Sequence, residues 1–201
     1  MRAVLRAGAL FVICSSAVAA FPQAGIRTIY VTVVGRSGMP VPGLTSADFT
    51  VKEDGRTRVI ERAEPARELM RIALLLDDGG PSLGAIRQAA GQFVERLQQK
   101  AHFSLTTTGG RPLTRVDFTE DPRQIYEGLQ RLFPNPSPTS QLLEAIAESA
   151  RDFLRRRAVR PVIVAITSEG EDVSDVRADT VLQVVQQSRA TFYYIGLGSP
   201  V

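Results

Sequence analysis

The stretch Arg71–Ser82, with the sequence RIALLLDDGGPS, decides the fold. It begins with an apolar run and ends in two acidic residues followed by a turn of glycine, proline and serine. A continuous apolar run of this length is typical of a strand buried on both faces of a parallel sheet. Open α/β sheets bind ligands just beyond the carboxyl ends of such strands. The sequence therefore predicts a buried strand over Arg71–Asp77 that ends at a ligand-binding edge.

Strands and helices alternate after this first strand. Apolar residues recur at helical spacing in Ser82–Lys100, Asp121–Phe133, Ser140–Arg157 and Asp175–Ser188. Strand-like runs lie between them, at His102–Thr108, Arg115–Phe118, Pro161–Thr167 and Thr191–Leu197. Strands separated by helices of this length form right-handed crossovers. We therefore expect an α/β fold with a doubly wound, mostly parallel sheet.

A small antiparallel β unit is expected upstream of this domain. Ile26–Val34 alternates and is rich in β-branched residues, which is typical of a strand. Asp48–Glu53 and Arg56–Arg62 flank Asp54-Gly55, a strong hairpin signal. The predicted organisation is a signal peptide over residues 1–20, a β-rich leader over 21–68 and an α/β domain over 69–201.

The N-terminus has the pattern of a secretory signal peptide. Two arginines precede the apolar segment Ala7–Ala20, which ends in Ala17-Val18-Ala19, a plausible cleavage site. An uncleaved anchor is the alternative. Cleavage would remove Cys14, the only cysteine, so the secreted chain would have no disulfide and no cysteine nucleophile. We expect a secreted or periplasmic protein without a membrane segment after cleavage.

The charge pattern does not favour nucleic-acid binding. The formal net charge is +3, and the 24 basic residues are interleaved with 21 acidic ones. Only Lys52 and Lys100 are lysines, and the longest basic run is Arg155-Arg156-Arg157. A nucleic-acid-binding domain would concentrate basic residues on one face or along one helix.

Three polar loops are expected at the carboxyl edge of the predicted sheet. They are Asp77–Ser82, Pro138–Ser140 and Thr167–Asp172. A hard cation such as Mg²⁺ takes about six oxygen ligands from carboxylates, hydroxyls and water. Aspartate, serine and threonine side chains from three loops could supply several of these oxygens.

At this point the sequence resembles a family. Residues 71–201 resemble a von Willebrand factor type A (VWA) domain, although the pattern stops before the last helix, strand and helix usual in that family. The segment GRSGMPVPGLTSADFTVKEDG, residues 35–55, is similar to the leader of bacterial secreted VWFA-related proteins. Together the resemblance covers roughly residues 26–201, and it implies binding of another protein.

The resemblance also implies a metal-ion-dependent adhesion site (MIDAS) that is degenerate in this chain. The family builds the site from D-x-S-x-S, a threonine from a later loop and an aspartate after a later strand. Asp77 matches the first acid, but Gly79 and Pro81 occupy the serine positions. Ser140 occupies the threonine position and keeps a hydroxyl, whereas Ser168 replaces the aspartate.

Two sets of site residues follow from this comparison. If Mg²⁺ binds, the candidate ligands are Asp77, Ser140 and Asp172. The candidate partner-binding loop residues are Asp78, Ser82, Thr139, Ser168 and Glu169. The main interpretation predicts no cofactor, whereas the metal-binding alternative predicts Mg²⁺.

The main interpretation is a secreted, non-catalytic protein-interaction module. The alternatives are a Mg²⁺-dependent adhesion domain with rearranged ligands and a hydrolase that uses carboxylates of the acidic loops. Enzyme motifs give the last alternative little support. His102 is the only histidine, and the chain contains neither a G-x-S-x-G elbow nor a phosphate-binding G-K-[ST] loop.

Overall fold

A computed structural model describes residues 26–79, 81–137, 139–168 and 171–197. The signal-peptide prediction falls outside these residues. The chain divides after Pro40 into two units, and each is described by itself. The predicted leader boundary between residues 68 and 69 remains a prediction.

The part of the first unit that is described, residues 26–40, contains a turn but no extended strand. Val34 forms an antiparallel bridge with Pro40, and the Gly35 N–H donates to the Met39 carbonyl at 2.8 Å. Gly38 has a φ of 77°, which favours glycine. The predicted strand over 26–34 is therefore wrong apart from Val34. Its alternating pattern buries no face, because Ile29 and Val31 are 63% and 61% exposed.

The second unit begins with a short hairpin. Strands β1 (Val51–Glu53) and β2 (Arg56–Arg58) pair antiparallel. Asp54 and Gly55 join them with φ values of 51° and 76°, as a two-residue hairpin turn requires. This confirms the hairpin prediction, but β1 starts later than expected. Asp48 instead ends a 3₁₀ turn, where its carboxylate accepts hydrogen bonds from the Thr45 N–H and hydroxyl.

A five-stranded sheet forms the centre of the second unit, in the order β5-β4-β3-β7-β9. All neighbours are parallel except β4 and β5. Two further strands pair separately at the carboxyl edge of this sheet. The strands are β3 (Met70–Leu76), β4 (Ala101–Thr107), β5 (Leu113–Thr119), β6 (Thr139–Ser140), β7 (Pro161–Ser168), β8 (Glu171–Asp172) and β9 (Thr191–Leu197).

Within the described residues, four helices flank the sheet, two on each face. They are α1 (Leu83–Leu97), α2 (Pro122–Gln130), α3 (Leu142–Arg155) and α4 (Ala178–Ser188). Helix α2 starts as predicted, with Pro122 in its first turn and the Asp121 carboxylate accepting from the Arg123 N–H at 3.0 Å. Among the helices described, none has the length and apolar content needed to span a bilayer.

The central strand β3 connects two hydrophobic cores. Ile72, Leu74 and Leu76 pack with α1 and α2 on one face. Ala73 and Leu75 pack with α3 and α4 on the other. All five side chains are at most 2% exposed. The predicted doubly wound, mostly parallel α/β fold, preceded by a small antiparallel unit, is confirmed.

Two helical glycines provide a test of this packing. A Cβ at Gly128 in α2 would lie 2.6 Å from Val116 Cγ2 and 3.1 Å from Leu105 Cδ2. Because Val116 is β-branched and stiff, Gly128→Ala should destabilise the fold by about 1–3 kcal/mol. A Cβ at Gly84 in α1 meets no atom within 4 Å, so Gly84→Ala should be neutral or stabilise by up to about 1 kcal/mol. Urea unfolding of both variants measures the difference, and equal effects would contradict the tight packing of α2.

Candidate functional site

Asp77 lies at the carboxyl end of β3 and is 4% exposed. Its Oδ1 accepts a hydrogen bond from the Gly79 N–H at 2.9 Å. Its Oδ2 accepts from the Ser168 N–H at 3.1 Å and from the Ser168 hydroxyl at 2.5 Å. The structure therefore brings together two predicted positions that are 91 residues apart. A hydroxyl at position 168 donates to a carboxylate, which a second carboxylate there could not do while ionised.

Gly79, at a position where the family has serine, lies close to this carboxylate. A Cβ built on Gly79 would lie 3.1 Å from Asp77 Oδ1 and 3.4 Å from the Ser137 carbonyl oxygen. These distances are tight for a side chain, so a serine here would need a small shift of its neighbours. The conformation of this loop therefore favours glycine at position 79. Glycine has no side-chain oxygen that could bind a metal ion.

Asp78 is 1% exposed and contacts both the loop after β4 and strand β5. Its carboxylate accepts from the Gly109 N–H at 2.9 Å and lies 3.5 Å from an Arg115 guanidinium nitrogen. A Cβ at Gly109 would lie 2.5 Å from Asp78 Oδ1, so only glycine allows this approach. Because its side chain is buried and bonded, Asp78 positions the loops and does not face a partner.

Asn135 joins the same loops and was missed in the sequence analysis. Its backbone N–H donates to the Asp78 carbonyl at 2.7 Å, and its side-chain amide donates to the Gly109 carbonyl at 2.6 Å. Its side-chain oxygen accepts from the Ser137 N–H at 2.9 Å. The surrounding PNPSP sequence indicates a turn in which asparagine bonds locally, but it does not indicate which distant loop the amide meets.

Ser140 and Asp172 are neighbours, because β6 and β8 pair in the register Ser140↔Asp172. The Ser140 hydroxyl is buried and donates to the Thr108 carbonyl at 3.1 Å. The Asp172 carboxylate accepts from the backbone N–H groups of Leu142 at 2.9 Å and Leu143 at 3.3 Å. Asp172 therefore stabilises the N-terminus of α3, where a negative charge also suits the helix dipole.

The three candidate metal ligands thus lie in two separate groups of contacts, Asp77 in one and the paired residues Ser140 and Asp172 in the other. Among the described residues, none of the hydrogen bonds of Asp77 reaches Ser140 or Asp172. The same residues contain no group of three or more histidine, cysteine, aspartate or glutamate side chains that could hold a metal ion. One buried hydroxyl in this region, Thr108 Oγ1, makes no hydrogen bond.

The remaining predicted partner-binding residues are considered by how far their side chains are exposed to solvent. Ser82, Thr139 and Ser168 are partly exposed at the carboxyl edge of the sheet. We call these three residues the loop surface. Glu169, predicted as a neighbour of Ser168, lies outside the described residues. Ser82 does not cap α1 through its side chain, so its hydroxyl is not used by the helix.

The geometry offers little to a hydrolase. His102 is at the opposite end of the sheet, where its Nε2 lies 3.5 Å from a Glu120 oxygen. One groove of about 520 Å³ lies between β5 and α2, and another of about 270 Å³ lies between α1 and α2. Neither Asp77 nor Asp78 lines these grooves.

Glu144 binds the loop that follows β8. Its Oε1 accepts from the Asp175 N–H at 2.6 Å and the Val176 N–H at 2.9 Å. Burial alone would raise the pKa of this carboxyl group. The backbone N–H groups of Asp175 and Val176, together with the nearby Ser174 side chain, outweigh burial and lower the pKa.

Comparison with known proteins identifies the fold. No protein-family model matches the chain, and no curated protein matches it. Proximal thread matrix protein 1 from the mussel byssus, in a structure with a zinc-occupied MIDAS motif, is 14% identical over 66% of this chain and 36% of its own, with a TM-score of 0.54. An aerotolerance-related membrane protein from Bacteroides fragilis is 18% identical over 63% of this chain and 67% of its own, with a TM-score of 0.51.

A third similar structure is the vWF domain of the type V pili tip protein Mfa5 from Porphyromonas gingivalis. It is 16% identical over 57% of this chain and 44% of its own, with a TM-score of 0.47. This chain thus spans less than half of the mussel and Porphyromonas chains. At these identities the similarity shows the fold alone: the chain has a VWA-like fold.

The hydrogen bonds to Glu144 predict a pH-dependent contribution to stability. The pKa of Glu144 is lowered on folding from its ordinary value of 4.5, so this contribution is complete above that value. It is lost as the pH falls through the lower, folded-state pKa. Glu144→Gln should therefore cost about 1 kcal/mol at pH 7, and the difference from wild type should shrink below pH 4.5.

Urea unfolding at neutral and acidic pH measures this difference. Glu148→Gln is the matched control, because Glu148 is exposed on the same helix. A Glu144→Gln variant that remains equally destabilised at acidic pH would contradict the ionic contribution.

Proposed function

We propose that this chain is a secreted, VWA-like module that binds another protein without catalysis, through a degenerate MIDAS. The main support for this proposal is that the Ser168 N–H and hydroxyl both donate hydrogen bonds to the Asp77 carboxylate. The protein itself supplies donors to the one acid that matches the family motif. These donors orient the carboxylate and stabilise its charge without a cation.

The number of ligands also argues for the degenerate site. Gly79 and Pro81 offer no side-chain oxygen, and Ser168 replaces a carboxylate. Mg²⁺ held by one or two carboxylates normally depends on substrate phosphates for further ligands. The alternative set of Asp77, Ser140 and Asp172 would also have to give up existing hydrogen bonds, among them those at the N-terminus of α3. Each buried group left without a partner would cost about 1–3 kcal/mol.

The proposed partner contacts the loop surface of Ser82, Thr139 and Ser168, extended by Glu169. Ser82, Thr139 and Ser168 lie at the sheet edge where open α/β folds bind ligands, and Glu169 follows Ser168 in the sequence. A location outside the cytoplasm follows from the predicted signal peptide. Two proteins of similar fold, a thread matrix protein from the mussel byssus and a membrane protein from Bacteroides fragilis, agree with this location.

Metal titration tests the degenerate site. If the proposal is correct, about 10 mM Mg²⁺ leaves the melting temperature of the purified chain unchanged. An intact site with a Kd of about 100 µM would instead add about 2.7 kcal/mol at that concentration, which a thermal-shift assay detects easily. Calorimetry with Mg²⁺, Mn²⁺ and Ca²⁺ provides the direct measurement. Strong binding that is lost in Asp77→Ala would refute the degenerate site and support metal-dependent adhesion.

Two substitutions of Ser168, Ser168→Asp and Ser168→Ala, test the contact with Asp77 in the same thermal-shift assay. Ser168→Asp places a second carboxylate against Asp77, so it should destabilise the chain more than Ser168→Ala in the absence of metal. Added Mg²⁺ should then raise the melting temperature of Ser168→Asp but not of Ser168→Ala.

Substitution of the loop surface tests the location of the partner site. Ser82→Arg combined with Thr139→Arg should abolish capture of partners from the extracytoplasmic fraction, because two long charged side chains would cover the surface. Val159→Arg is the control, since Val159 is 64% exposed just before β7, at the opposite end of the sheet. Quantitative mass spectrometry compares the captured proteins. A partner retained by the loop variant but lost with Val159→Arg would place the site elsewhere.

A further inference from the structure

The segment between β2 and β3 is exposed and has no regular structure. Residues 59–66 belong to no helix or strand, and among the described residues their backbone groups form no hydrogen bond with another backbone group. Six of these eight residues are exposed, including Val59 at 92%, whereas Ile60 and Ala63 are partly buried. Backbone that is exposed and not hydrogen-bonded is the preferred substrate of endopeptidases.

Arg62 lies in the middle of this segment, and its side chain is accessible. The side chain is 76% exposed, and its Nε lies 3.4 Å from a carboxylate oxygen of Glu64, which is itself 59% exposed. An ion pair between exposed groups contributes little, so Glu64 does not hold the guanidinium in place. Trypsin-like enzymes bind a basic side chain in their specificity pocket and cut the peptide bond that follows it. Arg62 can therefore enter such a pocket.

The position of the Arg62–Ala63 bond within the segment distinguishes it from its neighbours. A bound peptide is held in extended form through its backbone over several residues. The four residues before this bond and the four after it all lie between β2 and β3. A cut after Arg58 would require β2, which pairs with β1. A cut after Arg67 would require Met70, whose N–H is already bonded at the start of β3.

Basic residues in the loops of the α/β domain are protected in two ways. The N–H groups of Lys100, Arg157 and Arg189 each donate to a carbonyl of the preceding helix, which fixes a tight turn. Arg111 and Arg160 are each followed by proline, which has no N–H and a fixed φ and is not accepted after the cut bond. The other basic residues described from β3 onwards lie in helices and strands or at helix caps.

Both hydrophobic cores lie on the carboxyl side of the segment. In the part of the chain that the structure describes, the buried core residues begin at Ile72, and none precedes the segment. A cut at Arg62 thus separates the β1–β2 hairpin from the α/β domain without removing a core residue. We expect the domain to stay folded after the cut.

We propose that the Arg62–Ala63 bond is a processing site for a trypsin-like endopeptidase outside the cytoplasm. The reaction is hydrolysis, in which the C–N bond breaks and water supplies the hydroxyl of the new Arg62 carboxyl group and a proton to the new Ala63 amino group. The proposal shares with the proposed function only the location outside the cytoplasm. Because its tests use neither metal nor partner, its failure is distinguishable from failure of the proposed function.

Limited digestion of the purified full chain with trypsin tests the accessibility of the site. Within the second unit, the first cut should give a fragment that begins at Ala63. Cuts inside the α/β domain should be at least about 1,000-fold slower, because they require the domain to unfold. Mass spectrometry and N-terminal sequencing identify the fragments. Circular dichroism of the isolated fragment should show the melting temperature of the α/β domain in the uncut chain.

Substitution of single arginines tests which bond is cut. Arg62→Gln should slow the first cut in the second unit by at least about 100-fold, because the enzyme pocket then lacks its charged partner. Arg67→Gln should leave the rate unchanged. Arg157→Gln is the matched control in a loop of the α/β domain, since Arg157 is also exposed, and it should likewise change nothing.

N-terminal sequencing of the protein isolated from the cells that produce it tests the processing itself. We expect a form that begins at Ala63. Three outcomes would overturn the proposal: a first trypsin cut elsewhere in the second unit, an Arg62→Gln variant cut as fast as wild type, and isolated protein that contains no form beginning at Ala63.

Discussion

The burial of β3 on both faces is the constraint on which the rest of the domain depends. As the middle strand of five, it places Leu74, Leu75 and Leu76 at 0% exposure and continues directly into Asp77 and Asp78. A buried carboxylate without hydrogen bonds is expensive, because the protein interior solvates charge poorly. The chain must therefore provide donors wherever this strand ends. Ser168 and Gly79 do so for Asp77, and Gly109 with Arg115 does so for Asp78.

The same constraint explains the arrangement of the loops. Gly79 lies in the loop after β3 and Gly109 in the loop after β4, whereas Ser168 ends β7 and Arg115 belongs to β5. The two acids thus join the ends of β3, β4 and β7, together with β5, into one hydrogen-bonded layer. Asn135 adds the loop before β6 to this layer. In a metal-binding VWA domain, carboxylates from separate strands would need a cation between them to offset their repulsion. In this chain the Ser168 hydroxyl donates a hydrogen bond to the Asp77 carboxylate, so the contact between these two side chains is attractive.

Sequence reasoning predicted the elements that depend on local patterns. The apolar runs of β3, β7 and β9 and the Asp54-Gly55 turn are specified by neighbouring residues, and the structure contains all four. The predicted strand over 26–34 failed because alternation indicates only that a strand is possible. It cannot supply a neighbouring strand or a core to cover the alternate residues.

The long-range part of the site could not be predicted. The capping of α3 by Asp172 depends on the pairing of β6 with β8, and the bond between Asp77 and Ser168 spans 91 residues. The motif comparison concerned only which side-chain oxygens of the family motif this sequence lacks. It gave no information on where the remaining side chains point, because hydroxyls and carboxylates can be satisfied by backbone groups that every residue carries.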